Sequence, residues 1–143
     1  FPFAARNVKE FWQRWHITLS DYLKPTLLNP LSKKLASVLG PKWIHVTIVI
    51  TILVVFFVIG IWHGLQSNYL LFGLLNGAAV SWNYIYGVLL KKTLSAKNWK
   101  LYYESRVIRA AALLFTYIFI SITHVIFAYS LPQIKGMWER IVW

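Results

Sequence analysis

A chain of 143 residues that is 58% apolar and only 13% charged carries too little polar surface for an ordinary water-soluble domain, and reads as an integral membrane protein. Its formal net charge of +11 raises nucleic-acid binding as an alternative. However, the bases gather just outside the apolar runs and do not interleave with aromatics, so juxtamembrane charge facing membrane lipids explains them and no nucleic-acid partner is expected. The absence of cysteine excludes disulfides, thiolate metal sites and a Cys nucleophile.

The chain opens on Phe1-Pro2-Phe3 without an initiator Met or a signal peptide, and residues 1–143 are expected to be the single C-terminal portion of a larger domain with further helices upstream. Residues 7–23 predict one amphipathic helix. Val8, Phe11, Trp12, Trp15, Leu19, Tyr22 and Leu23 recur at spacings of three and four, and His16 borders their stripe. Asn7 followed by Glu10 fits an N-cap, and Glu10 with Arg14 makes a favourable i,i+4 pair. Pro25 and Pro30 are expected to interrupt any long helix, which leaves 24–40 as a short interfacial or re-entrant piece. The whole of 7–40 is thus predicted as amphipathic or re-entrant helices.

Three predicted transmembrane helices follow, at 43–62, 68–90 and 107–129. The first is long enough, at ~1.5 Å per residue, to cross a hydrocarbon layer of ~30 Å. It begins and ends on tryptophans suited to the interface. In the second, Gly73, Gly77, Ala78 and Ala79 offer a small-residue face for close helix packing. Polar residues within the spans, among them Asn76, Ser81, Asn83, Thr116, Thr123 and His124, need partners. Lys33, Lys34 and Lys42 before the first span, and the Lys-rich loop 91–106, are expected on the cytoplasmic side. That map sends His63 to the outer leaflet and His16 to the inner one. The predicted fold class is therefore all-α and multi-pass.

The chemistry centres on Gly60-Ile61-Trp62-His63-Gly64, where an imidazole sits at the outlet of an apolar run. An ionisable residue in such a place is a functional candidate by default. A neutral histidine there can act as a general base toward a hydroxyl, or it can be a structural residue bonded to a backbone carbonyl. The only carboxylates, Glu10, Asp21, Glu104 and Glu139, lie outside the spans. Ser67 lacks an acid to complete a triad, and the four histidines are too scattered for a metal site. Asn76 could donate to a developing oxyanion or bond between helices. Trp62 could wall a cavity or anchor the helix at the interface. His45 beside Trp43 reads as structural, and His124 as a maker of helix–helix bonds.

The block Arg6-Asn7-Val8-Lys9-Glu10-Phe11-Trp12-Gln13-Arg14-Trp15-His16-Ile17-Thr18-Leu19-Ser20 resembles the R-N-x-x-E-F-W-x-R-W-H-x-[ST]-L-S signature of bacterial membrane-bound O-acyltransferases. Ile61-Trp62-His63-Gly64 resembles that family's W-H-G block. The resemblance extends to about residue 90. Two departures stand out: Asp21-Tyr22-Leu23 where an Arg-Asp-Tyr element is usual, and Asn76-Gly77 where polysaccharide acetylases often carry His-Gly.

The resemblance implies His63 as the family's essential histidine and His16 as its second characteristic one, both expected to be catalytic; Arg14, Trp15, Trp62 and Asn76 are the candidates of this chain for substrate binding. It implies a multi-span enzyme of the bacterial inner membrane that needs its upstream part for activity and holds no tightly bound cofactor. The donor would be an acyl-CoA or an acyl-carrier thioester on the cytoplasmic side. The acceptor would be a hydroxyl of a cell-envelope polysaccharide, or an acyl-relay partner, on the outer side. Acetylation is the first expectation and D-alanylation of teichoic acid the second. A non-catalytic transporter or export-channel subunit is the rival from another class.

Overall fold

A computed structural model describes residues 1–142. Among them every regular element is helical: α1 Val8–Arg14, α2 Ile17–Leu23, α3 Asn29–Leu39, α4 Ile44–His63, α5 Ser67–Thr93, α6 Ala96–Glu104, α7 Arg106–Ala128 and α8 Leu131–Val142. Two of these, α4 with its preceding turn and α7, are long and apolar enough to cross a membrane. α5 is the longest helix and coincides with the remaining predicted span, but its sequence is more polar.

α4 and α5 form the packed centre of the molecule, and glycines set how closely they approach. A Cβ on Gly73 would lie 2.5 Å from the Phe56 carbonyl oxygen, and one on Gly60 would lie 2.7 Å from that of Tyr69. Backbone therefore meets backbone, which suits a lipid-embedded pair held by van der Waals contact. His45 Nδ1 and the Tyr84 hydroxyl, 2.7 Å apart, tie the same pair near the start of α4. α7 packs on the other flank of α5, through a stripe of Thr116, Ile120 and Thr123 at helical spacing.

The N-terminal segment departs from expectation in two ways. The predicted helix over 7–23 is broken at Trp15–His16, where His16 takes φ 50° and ψ 47°. Asn7 does cap α1, its side chain accepting from the Glu10 N–H at 2.8 Å, and Glu10 pairs with Arg14. Conversely, the prolines do not interrupt the chain after the break. Pro25 falls in a π-helical turn, Lys24–Leu28, and Pro30 directly after it, as the second residue of α3. The Asn29 N–H closes the wider turn on the Lys24 carbonyl, five residues back instead of four. Helix thus runs unbroken from Ile17 to Leu39.

The outcome is a hairpin. α1 rises against α5, with the Lys9 N–H donating to Asn83 Oδ1 at 3.2 Å and the Trp12 indole N–H to Asn76 Oδ1 at 3.0 Å. The corner follows at Trp15–His16. The limb made of α2 and α3 then descends beside α4, with which α3 is in contact, and turns through Pro41–Trp43 into that helix. Much of the predicted loop 91–106 is also helical, since α5 continues to Thr93 and α6 occupies most of the remainder.

Candidate active site

His63 is the last residue of α4, and the turn that follows needs glycine. Gly64 has φ 148°, and a Cβ there would sit 2.9 Å from the Tyr69 ring. The chain reverses at once into α5, which brings Tyr69 back over the histidine. The His63 ring lies 4.8 Å from that of Phe127 in an edge-to-face arrangement, 4.7 Å from Trp62 and 6.2 Å from Tyr69. It is half-buried among these aromatics. Phe127 is steadied in turn by Asn68, whose side-chain N–H donates to the Phe127 carbonyl at 3.0 Å. That bond satisfies one of the carbonyls left over at the end of α7.

His16 stands at the tip of the hairpin, exposed on its outer side. Among non-glycine residues it alone has a positive φ within the described part of the chain. Such a conformation costs of order 1–3 kcal/mol and persists where the surroundings over-determine it. Trp15 supplies much of that restraint, stacked on Phe11 at 5.7 Å and meeting Phe3 and His124 edge-on at 6.3 and 6.1 Å.

The charge map puts His16 and His63 in opposite leaflets, whereas in the structure the His16 corner and His63 are linked by a short chain of aromatic contacts. The hairpin carries the Trp15 corner up beside α7 and the second turn of α5, where Trp15 meets His124, His124 meets Phe72, and Phe72 leads through Phe127 to His63. The map counts bases in loops and carries no information on how far the hairpin climbs along α5, which packing decides.

The remaining candidates divide by geometry. Asn76 is fully buried, with its oxygen accepting from Trp12 and one side-chain N–H donating to the Phe72 carbonyl at 2.9 Å. That arrangement is an interhelical bond and leaves a single N–H spare. Arg14 pairs with Glu10 and donates to the Phe1 carbonyl at 3.1 Å. Trp62 is 64% exposed, as an interface anchor would be, although its edge touches His63. His124 does not bond between helices: its Nδ1 lies 2.8 Å from the Ile120 carbonyl of its own helix. Tyr69, Phe127, His124 and Asn68 complete the site without having been singled out as site residues. The spacing Ile120, His124, Phe127 on one helical face was the available signal, but that period also describes ordinary packing.

Two cavities flank the hairpin. One of about 810 Å³ opens between α1, α5, α6 and α7 and is lined by Arg6, Lys9, Arg109, Tyr86 and Tyr102 among others. There the hydroxyls of Tyr86 and Tyr102 are 3.1 Å apart. That bond, aided by burial, pushes Tyr102 up to about 12, so it stays a neutral hydrogen-bonding group at ordinary pH. The second cavity, of about 390 Å³, lies between the descending limb and α4 and is walled by Leu23, Leu28, Ile52 and Val55. Among the described residues no group of acids and histidines is arranged to hold a metal ion.

No protein-family model matches the chain. Individual relatives do. The chain is 35% identical over 91 residues to a peptidoglycan O-acetyltransferase of Helicobacter pylori, a match covering 64% of this chain and 16% of that protein. It is 34% identical over 80 residues to a teichoic acid D-alanyltransferase of Bacillus subtilis, covering 51% of this chain and 18% of that protein. It is 30% identical over 76 residues to a probable alginate O-acetylase of Pseudomonas aeruginosa, covering 53% of this chain and 13% of that protein. The chain thus spans less than a fifth of the length of each of these relatives.

Proposed function

Because this chain is a relative, over part of its length, of bacterial membrane-bound O-acyltransferases acting on cell-envelope polymers, we propose that it is the histidine-bearing portion of such an enzyme. In this reading it transfers an acyl group, acetyl first, from a thioester to a polysaccharide hydroxyl. The observation that carries the reading is His63 at the end of α4, packed among the rings of Trp62, Tyr69 and Phe127 and joined through Phe127, Phe72 and His124 to the Trp15 corner, with no Cys in the chain and its four Asp and Glu side chains outside the spans.

The reaction follows from those groups. A hydroxyl of the acceptor gives its proton to His63 as its oxygen bonds to the thioester carbonyl carbon. The carbon–sulfur bond then breaks, and the leaving thiolate takes the proton from the imidazolium, leaving an ester and a free thiol. The rings of Tyr69 and Phe127 against the imidazole leave less room for water beside the base, which favours this transfer over hydrolysis of the thioester. His16 helps to hold the acceptor or donor at the base. Trp15, Arg14 and Trp62 lie beside the two histidines and orient substrate, whereas Asn76, with most of its bonding capacity already used, serves the scaffold.

The donor, an acyl-CoA or acyl-carrier thioester, approaches from the cytoplasmic side, where Arg6, Lys9 and Arg109 suit its anionic groups. The acceptor or an acyl-relay partner approaches near the turn after His63. No tightly bound cofactor is required. The setting is the bacterial inner membrane, with α4, α5 and α7 as spans. D-alanyl transfer to teichoic acid is the second reading, favoured by the similarity to the Bacillus subtilis protein.

The test is His63→Ala in the full-length protein, with mass spectrometry of the envelope polymers. Acyl esters should disappear while the amount of protein in the membrane stays the same. Esters at normal levels would reject the base and favour a non-catalytic transport role.

A further inference from the structure

We propose that His124 is a positioning residue, which holds the Trp15–His16 corner in its left-handed turn from the neighbouring helix. The proposal rests on the acyl-transfer reading only for its catalytic consequence, since the contacts stand without it. A carbonyl oxygen can only accept a hydrogen bond, so the contact of Nδ1 with the Ile120 carbonyl at 2.8 Å requires Nδ1 to carry the proton. The imidazole is thereby fixed in one tautomer and one orientation, with its remaining edge directed away from its own backbone.

Three rings meet it close to perpendicular: Phe72 of α5 at 5.7 Å, Trp15 at 6.1 Å and Phe11 of α1 at 6.3 Å. Edge-to-face contacts of this kind are favourable and directional. His124 is therefore a wedge that joins α7 to the hairpin and to α5 at the same point. Phe72 also touches Phe127 at 5.0 Å, and Phe127 touches His63. One aromatic chain thus leads from the His16 corner to the proposed base. The strained backbone of His16 lacks a capping side chain of its own. Its restraint comes from Trp15, and Trp15 is gripped from across the helix gap by His124.

The experiment compares His124→Ala and His124→Phe in the full-length protein in native membranes. One readout is the rate at which diethyl pyrocarbonate modifies His16, followed by peptide mass spectrometry. The other is turnover to envelope ester. His124→Ala should change the His16 modification rate severalfold. It should also lower turnover by roughly 10- to 100-fold, the range expected when a reacting group is displaced by about an ångström, with the KM for acceptor little changed. His124→Phe, which restores the perpendicular ring, should bring both readouts most of the way back. An unchanged His16 rate in His124→Ala overturns the proposal, and so does a His124→Phe protein that behaves like the alanine variant. If the alanine variant fails to reach the membrane, His124→Leu takes its place, and an unchanged His16 rate in that variant overturns the proposal. A shift in that rate with no ester made even by the unaltered protein would leave the positioning role standing and remove the acyl-transfer reading.

Discussion

His16 shows how one dihedral angle can be more informative than a side chain. On an intact amphipathic helix it would be an ordinary edge residue; at φ 50° it becomes the corner of a hairpin. Glycine tolerates that conformation freely, and a β-branched residue tolerates it worst. His16→Gly should therefore leave the thermal midpoint of the full-length protein at or above its original value while ester formation falls. His16→Val should lower stability by about 1–3 kcal/mol. Both are read by temperature-dependent intrinsic fluorescence in detergent together with the ester assay. Equal midpoints for the two variants would show that the left-handed turn does not strain the backbone.

Among the elements, the α4–α5 pair depends most on individual small residues. Gly73→Ala puts a methyl group 2.5 Å from the Phe56 carbonyl oxygen, so the helices must separate. The expected cost is about 1–3 kcal/mol, as for other overpacked sites. Gly87 belongs to the same helix, but a Cβ there meets nothing within 4 Å. Gly87→Ala should be neutral or stabilise by up to about 1 kcal/mol through helix propensity. The two substitutions share their chemistry and differ only in surroundings, so a paired measurement of thermal midpoints isolates the close approach. Parallel losses in both would mean that the helices do not touch at Gly73.

For the whole molecule, the question is which ends face which side of the membrane. The bases of Lys33, Lys34, Lys42 and the 91–106 segment lie at one end of the long helices, and the Gly64–Gln66 turn lies at the other. In a full-length protein lacking other cysteines, Gln66→Cys should react with an impermeant maleimide on intact cells. Lys97→Cys should react only after the membrane is opened. The reverse pattern would invert the proposed routes of donor and acceptor. His63 would keep its neighbours, because Trp62, Tyr69 and Phe127 are held by contacts within and between helices and not by orientation.

Composition and period alone determined much of this protein: its helical class, the bounds of α4 to within a residue, the small-residue face of α5, the cap at Asn7 and the candidacy of His63. These are local properties, readable from residues three or four positions apart or from the hydropathy of one segment. Tertiary structure decided the break at His16, the unbroken passage through Pro25 and Pro30, and the aromatic chain that links Trp15 and His124 to His63. Each of these depends on packing between segments distant in sequence. A left-handed turn or a π turn is unfavourable on its own and forms where neighbouring helices make the alternative worse.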